Sequence, residues 1–135
     1  CDTDAATHPC SLAATGLAGY AVSSSTVAFH DAGDFGGYFQ ALDHSEAQLA
    51  GARQQSNPGM NAIDSGSSLR VEPLSGPSRL MGHTDVTGFS HALIYGSDTV
   101  LEGSLTCDQG GNAWVEPGID LTGYTINGCA LAPAP

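Results

Sequence analysis

The chain has 135 residues, of which 14 are acidic and 3 are basic, so its formal net charge is −11. Nucleic acids and anionic membrane surfaces are bound by clustered lysine and arginine. The sequence contains no lysine, which argues against both as partners and excludes a Walker-type phosphate loop. No apolar run approaches the roughly 20 residues of a membrane-spanning helix. The composition therefore predicts one soluble or tethered domain.

The four cysteines form two groups near the ends of the sequence, Cys1 with Cys10 and Cys107 with Cys129. An even number of cysteines in a chain rich in glycine and serine is typical of a secreted protein with two disulfides. Three pairings are open, and we favour the local one, Cys1–Cys10 and Cys107–Cys129. The cysteines therefore predict a protein that is secreted or displayed on the extracellular surface.

Cys1 has a second interpretation. A bacterial lipoprotein begins at the cysteine that carries its lipid, and residues 1–7 are typical of a solvated tether. We therefore assign residues 1–19 to an N-terminal strap or tether, with a lipid anchor on Cys1 as the alternative to a disulfide. Residues 20–135 are predicted to form a single domain.

From residue 20 onward, short stretches alternate between apolar and polar residues and are bounded by glycine, aspartate and serine. Such alternation is typical of half-buried β-strands. The stretches are residues 20–22, 27–29, 38–42, 89–95, 99–106, 113–115 and 124–126. The chain also has 18 glycines and 7 prolines to interrupt them. Together these features favour an all-β sandwich.

One segment predicts a helix instead. Ser45 and Gln48 have the spacing of a capping box, in which the serine hydroxyl accepts a hydrogen bond from the backbone N–H three residues later. Good helix formers follow, and Pro58 with Gly59 ends the run. We expect one short helix over residues 46–55.

Residues 29–42 and 80–93 align without a gap and indicate an internal repeat. Identical residues meet at four positions, namely Asp34 and Asp85, Gly37 and Gly88, Ala41 and Ala92, and Leu42 and Leu93. We extend the repeat to two halves, residues 26–73 and 77–130. Each half is predicted to be a four-stranded Greek key. The two keys are predicted to pack as a β-sandwich, because one key alone cannot bury its apolar face.

The first half also has a recognisable pattern. Residues 27–38 run from an aromatic residue through an acidic spacer to Phe-Gly-Gly, and residues 63–71 end in Ser-Ser-Leu-Arg-Val. This pattern resembles the βγ-crystallin Greek key, closely over residues 26–73 and loosely over residues 77–130. The resemblance implies the same two-key sandwich.

Microbial members of that family commonly bind calcium through two Asn or Asp residues, two variable residues, a Ser or Thr, and a Ser. The resemblance therefore implies a calcium site at Asp64 and Ser67. Ile63 stands in place of the first ligand, and in the second half Tyr124 stands where the Ser or Thr belongs. Calcium takes six to eight oxygen ligands, and it is the candidate cofactor that the resemblance implies.

Other catalytic and metal chemistry has little support. The histidines are His8, His30, His44, His83 and His91, and no two have the spacing that holds one metal locally. A hydrolytic site could combine a histidine (His44 or His83) with an acid (Asp31 or Asp85) and a serine. Because there is no Gly-x-Ser-x-Gly elbow, we predict that the chain is not an enzyme. Trp114 is expected in the core, or else exposed as an anchor for sugar or protein.

The sequence therefore predicts a secreted or surface-tethered, non-enzymatic binding domain for an unknown protein or glycan partner, with calcium as a candidate stabiliser. Two alternatives stay open. The chain could be a small secreted proteinase inhibitor or toxin, with residues 57–61 or 108–112 as its exposed loop. It could also be a structural subunit of a surface layer or filament that self-associates through unpaired edge strands.

Overall fold

The computed structural model describes residues 12–131 as eleven β-strands, with no helix in that range. The strands are β1 (Leu12–Ala21), β2 (Thr26–Ala41), β3 (Glu46–Ser56), β4 (Met60–Ile63), β5 (Ser68–Glu72), β6 (Arg79–Val86), β7 (His91–Ile94), β8 (Val100–Cys107), β9 (Asn112–Val115), β10 (Thr125–Asn127) and β11 (Ala130–Leu131). The all-β prediction is confirmed.

The described strands pair in parallel, and the chain winds into a β-solenoid of stacked coils. One ladder runs through β2, β3, β5, β7, β9 and β11, and another runs through β1, β2, β4, β6, β8 and β10. Ala41, Ile63, Val86 and Cys107 are register partners in consecutive coils, so one of these coils takes 21–23 residues. Each coil advances the solenoid by one strand spacing, about 4.8 Å.

The Greek-key sandwich and the βγ-crystallin resemblance are wrong. A Greek key pairs its strands antiparallel, whereas the strands here are parallel. Apolar–polar alternation is the same in both arrangements, because side chains alternate along any strand. The repeating unit is one coil rather than half of the chain. Asp34 and Asp85, which the two halves align, lie in different ladders, opposite Arg53 and Thr106 respectively.

The helix expected over residues 46–55 is also wrong, because this segment is strand β3. Its burial alternates from Glu46 to Leu49, as in a strand with one face in the core. The hydroxyl of Ser45, expected to cap the helix, instead accepts a hydrogen bond from the backbone N–H of Ser25 in the preceding coil, at 3.2 Å. Packing between two coils therefore outweighs the local helix propensity.

One corner of each coil is a tight turn with two consecutive residues in the left-handed conformation. The pairs are Ser23-Ser24, Asp43-His44, Ser65-Gly66, Gly88-Phe89 and Gln109-Gly110. Successive turns are hydrogen-bonded; for example, the N–H of His44 donates to the carbonyl of Ser65 at 3.0 Å. Glycine adopts this conformation without steric cost, and short polar residues tolerate it. We call this stack of turns the tight corner.

A column of serines follows the tight corner. The hydroxyls of Ser45, Ser67 and Ser90 each accept a hydrogen bond from the backbone N–H of the serine one coil earlier, at 3.2, 3.1 and 3.0 Å. All three serines are buried. A buried N–H without a partner would cost about 1–3 kcal/mol, so the column provides acceptors that allow the coils to stack closely.

Bends divide each coil into three sides. β6 bends at Gly82 (φ 79°), and β8 bends at its register partner Gly103 (φ 110°). Before its bend β6 pairs with β3, and after it β6 pairs with β4. The first side consists of residues 26–30 and 46–50 with β5, β7 and β9. The second side consists of residues 52–56 with the leading halves of β6 and β8, and the third consists of β4, β10 and the trailing halves of β6 and β8.

The core fills the space between the three sides. The rings of Phe29 and Phe35 stack with their centroids 4.4 Å apart. Fully buried apolar side chains include Phe39, Leu49, Ile63, Leu69, Leu80, Ile94 and Leu105. The core also holds two buried amides, Gln54 and Asn61, which hydrogen-bond each other at 2.9 and 3.2 Å. Asn61 donates to Thr84 Oγ1 at 3.1 Å, so these interior polar groups are paired.

Cys107 and Cys129 form a disulfide, as predicted, with their Cα atoms 4.7 Å apart. The bond joins the end of β8 to the turn before β11, and so fastens the last coil to the one before it. Cys1 and Cys10 lie outside the described residues.

The segment assigned to a strap, residues 1–19, enters the described structure at Leu12, where β1 begins. β1 pairs in parallel with the second half of β2, with Tyr20 opposite Gln40. Across residues 12–131, no helix is long and apolar enough to cross a membrane.

Candidate binding surface

The outward positions of the first side carry a series of planar side chains that extends from coil to coil. We call this series the polar–aromatic row; it consists of His30, Gln48, Glu72, Arg70, Tyr95 and Trp114. Its members come from five consecutive coils. At one strand spacing per coil, the row is about 19 Å long.

Hydrogen bonds join the polar half of the row. His30 Nε2 donates to Gln48 Oε1 at 2.7 Å, and Gln48 Nε2 donates to Glu72 Oε1 at 3.0 Å. The second carboxylate oxygen of Glu72 accepts from Arg70 Nε at 2.9 Å. Glu72 is therefore held from both sides, and the four side chains have a fixed arrangement on an otherwise open face.

Ring contacts join the aromatic half. The guanidinium carbon of Arg70 lies 5.1 Å from the centre of the Tyr95 ring, within the range of a cation–π contact. The rings of Tyr95 and Trp114 are tilted by 55°, with centroids 5.2 Å apart. The hydrogen bond to Glu72 raises the pKa of Arg70, so the guanidinium keeps its charge in this setting.

An open groove of about 340 Å³ lies beside Trp114, at the aromatic end of the row. Its lining includes Val115, Pro117, Ile119, Leu121 and Ile126. Trp114, expected in the core, is only half-buried and forms one wall of this groove. The aromatic end of the row therefore offers an apolar surface that a ligand could contact.

The residues predicted to bind calcium lie in one turn of the tight corner. Asp64 Oδ1 accepts a hydrogen bond from the backbone N–H of Ser65 at 2.6 Å. Ser67 is 1% exposed, and its hydroxyl belongs to the serine column. Within residues 12–131, no group of three or more His, Cys, Asp or Glu side chains is arranged to hold a metal ion. The calcium site stays a prediction.

The histidines that the sequence singled out have different surroundings. The ring of His44 lies over Gly66 in the next coil, at the tight corner. His83 lies on the third side, where it contacts Asp85 on its own strand and Ser104 on the next coil. The sequence names His83 and Asp85 as candidates but not Ser104, whose proximity depends on which coil stacks on which.

The two segments proposed as inhibitory loops are short. Residues 57–59 form the turn between β3 and β4, and Asn61 is buried. Residues 108–111 contain the left-handed pair Gln109-Gly110 of the tight corner. The N–H of Asp108 donates a hydrogen bond to the carbonyl of Val86, which attaches this turn to the preceding coil. The inhibitor function stays a prediction.

Neither the sequence nor the fold of this chain matches any of the protein families, curated proteins or solved structures with which it was compared.

Proposed function

We propose that the chain is a binding domain, secreted or tethered at the cell surface, that holds an uncharged polysaccharide along the polar–aromatic row. The observation that carries the proposal is the series Arg70, Tyr95 and Trp114, in which a guanidinium and two aromatic rings follow one another on an open sheet face. The proposed ligand lies parallel to the solenoid axis and crosses several coils.

The chemistry of a sugar ring supports this assignment. A pyranose presents C–H groups on its faces and hydroxyls around its edge. Tyrosine and tryptophan offer large apolar faces together with a polar group, and they suit the C–H faces. Glu72, Gln48 and Arg70 offer planar acceptors and donors that suit pairs of neighbouring hydroxyls. Because these groups are already hydrogen-bonded to one another, binding does not have to order them.

Charge favours an uncharged ligand. The formal net charge of −11 repels polyanions at long range. Within the row, the charge of Arg70 is matched by Glu72 at 2.9 Å. An anionic polysaccharide would therefore find no free cation in the row among the residues described.

The Cys107–Cys129 disulfide supports the proposed location. Disulfides persist in oxidising compartments, chiefly outside the cytosol. A binding domain at the cell surface or outside the cell would also meet polysaccharides directly.

The test is titration calorimetry of the purified chain with soluble oligosaccharides of glucose, xylose and N-acetylglucosamine, with oligogalacturonate as the charged comparison. We expect at least one uncharged oligosaccharide to bind. Trp114→Ala and Tyr95→Ala should each weaken this binding by about tenfold or more, a change of about 1.4 kcal/mol.

Val100→Ala is the matched control, since Val100 is also exposed and apolar but lies on the second side. It should bind as the unmodified chain does. The proposal would be contradicted if the Trp114→Ala and Tyr95→Ala variants bound as tightly as the unmodified chain. A preference of the unmodified chain for oligogalacturonate would also contradict it.

A further inference from the structure

A second group of polar side chains lies away from the polar–aromatic row, on the third side of the solenoid. His83 and Asp85 are two residues apart on β6 and project from the same face, and Ser104 is the register partner of His83 on β8. His83 Nδ1 is 2.8 Å from Ser104 Oγ, and His83 Nε2 is 2.8 Å from Asp85 Oδ1. The three side chains form a continuous Ser–His–Asp chain of hydrogen bonds.

The two hydrogen-bond partners of His83 determine which nitrogen of its neutral imidazole carries the hydrogen. An ionised carboxylate only accepts hydrogen bonds, so Asp85 is matched by a hydrogen on Nε2 of His83. Nδ1 then carries the lone pair, and the hydroxyl of Ser104 is the group that donates to it. This is the arrangement in which a histidine acts as a general base toward a serine, while an acid fixes its tautomer.

We propose that Ser104 is a nucleophile that accepts acyl groups from small carboxylic esters, with His83 as its general base and Asp85 as the residue that positions His83. Ser104 Oγ attacks the ester carbonyl carbon while its proton passes to His83 Nδ1. The ester C–O bond then breaks, and the leaving alcohol takes this proton. The product is an acyl ester of Ser104, which water hydrolyses with the same nitrogen as base, releasing the acid and restoring the serine.

The surroundings restrict the substrate class. The side chains of His83 and Asp85 are 38% and 29% exposed, so a molecule from solvent can reach them. Met60, which is 43% exposed, lies opposite His83 in the preceding coil. It places apolar surface beside His83. The open face suits small, activated esters with an apolar leaving group rather than a long peptide.

The chain contains its own comparison pair. Ser68 and His91 are also register partners on adjacent coils, with the histidine on β7 and the serine on β5. The position two residues after His91 holds Leu93 instead of an acid. Ser68 therefore has the same kind of neighbour as Ser104 but lacks the residue that fixes the tautomer.

The experiment is incubation of the intact, disulfide-bonded chain with p-nitrophenyl acetate at about pH 8. Released p-nitrophenolate is followed by absorbance, and acid-quenched protein is analysed by mass spectrometry after cleavage at arginine. We expect the mass of one acetyl group on the peptide that follows Arg79, located on Ser104. The absence of lysine removes side-chain amines as competing acceptors.

Ser104→Ala should abolish this label, and His83→Gln should slow acylation by roughly 100-fold, the contribution typical of a general base. Ser68→Ala should react as the unmodified chain does. Thermal melts of all variants establish that they are folded. The inference is overturned if folded Ser104→Ala is labelled as fast as the unmodified chain, or if the acetyl group lies elsewhere. Neither result bears on oligosaccharide binding by the row, so the two proposals are tested separately.

Discussion

Gly111 lies directly against the backbone carbonyl of Val86 in the preceding coil, so that a Cβ atom at Gly111 would overlap the carbonyl oxygen. The same oxygen accepts a hydrogen bond from the N–H of Asp108 at 3.1 Å. It therefore cannot move away without breaking the contact between two coils. In the three coils before it, the position of Gly111 is occupied by a serine of the buried column, namely Ser45, Ser67 and Ser90.

Gly111→Ala should therefore lower the free energy of unfolding by about 3 kcal/mol, the scale of overpacking against atoms that cannot shift. Urea denaturation measures this change. Gly123→Ala is the control, since Gly123 has a left-handed backbone (φ 75°) but open space around its Cβ position. It should cost only about 1 kcal/mol from strain. Equal losses in the two variants would show that the contact with Val86 does not matter.

The disulfide between Cys107 and Cys129 spans 22 residues, the length of one coil. Closing a loop of this length stabilises a folded chain by about 3 kcal/mol in the chain-entropy account. Replacing both cysteines with serine should lower the urea midpoint accordingly. A reducing agent should destabilise the unmodified chain more than the double variant, in which the predicted Cys1–Cys10 bond is the remaining disulfide. A double variant as stable as the unmodified chain would contradict the prediction.

Asn61 is fully buried, and it accepts hydrogen bonds from the N–H of Phe39 at 3.3 Å and from Gln54 Nε2 at 2.9 Å. It also donates to Thr84. Asn61→Ala would leave these partners unsatisfied inside the core, and we expect a loss of about 2–4 kcal/mol. Met60→Ala, one residue earlier but exposed, should change the stability little. A loss below about 1 kcal/mol for Asn61→Ala would indicate that the network contributes little.

The hydroxyl of Tyr124 is buried and has no hydrogen-bond partner among the residues described. Burying an unpaired hydroxyl is unfavourable by about 1–3 kcal/mol, so Tyr124→Phe should leave the chain as stable as before or more stable by about 1 kcal/mol. Thermal unfolding at neutral pH tests this. A clear loss of stability would mean that the hydroxyl has a partner in solution.

Burial also raises the pKa of Tyr124 far above its ordinary value of about 10. The folded state then holds the phenolic proton more tightly than the unfolded state does. The resulting stabilisation is fully present below about pH 10, and it decreases as the pH rises above that value. Tyr124→Phe should remove this alkaline decrease, whereas Tyr38→Phe, at a less buried tyrosine, should retain it. Equal pH profiles for the two variants would contradict the prediction.

Strand content could be predicted from the sequence, and strand direction could not. Apolar alternation marks a half-buried strand, but it carries no information on whether the neighbour is parallel or antiparallel. The readable signal of the solenoid was the tight corner: Ser45, Ser67 and Ser90 recur at intervals of 22 and 23 residues, each after a pair of turn residues. The longer alignment of Asp34 with Asp85 concealed this shorter period.

The candidate surfaces were only partly accessible to the same reasoning. His83, Asp85 and Trp114 stand out by residue type, and the structure places all three on outward faces. Their partners Ser104 and Tyr95 come from other coils, so they cannot be recognised until the coil length is known. Gly111, at the end of the serine column, could not be recognised from its own turn either. Glycine is required there because a carbonyl oxygen of another coil, that of Val86, lies against it.

Register between coils has a consequence for how such a chain can change length. Because each coil packs mainly on the coil before and the coil after it, a whole coil can in principle be duplicated or removed while every inward residue stays inward. Duplicating the coil that contains β5 and β6 would lengthen the first side by about 4.8 Å and provide a second copy of Arg70 and Glu72. A single inserted residue inside a strand would instead reverse the faces of all residues up to the next turn. The gene for such a protein therefore tolerates growth in steps of one coil far better than growth by one codon.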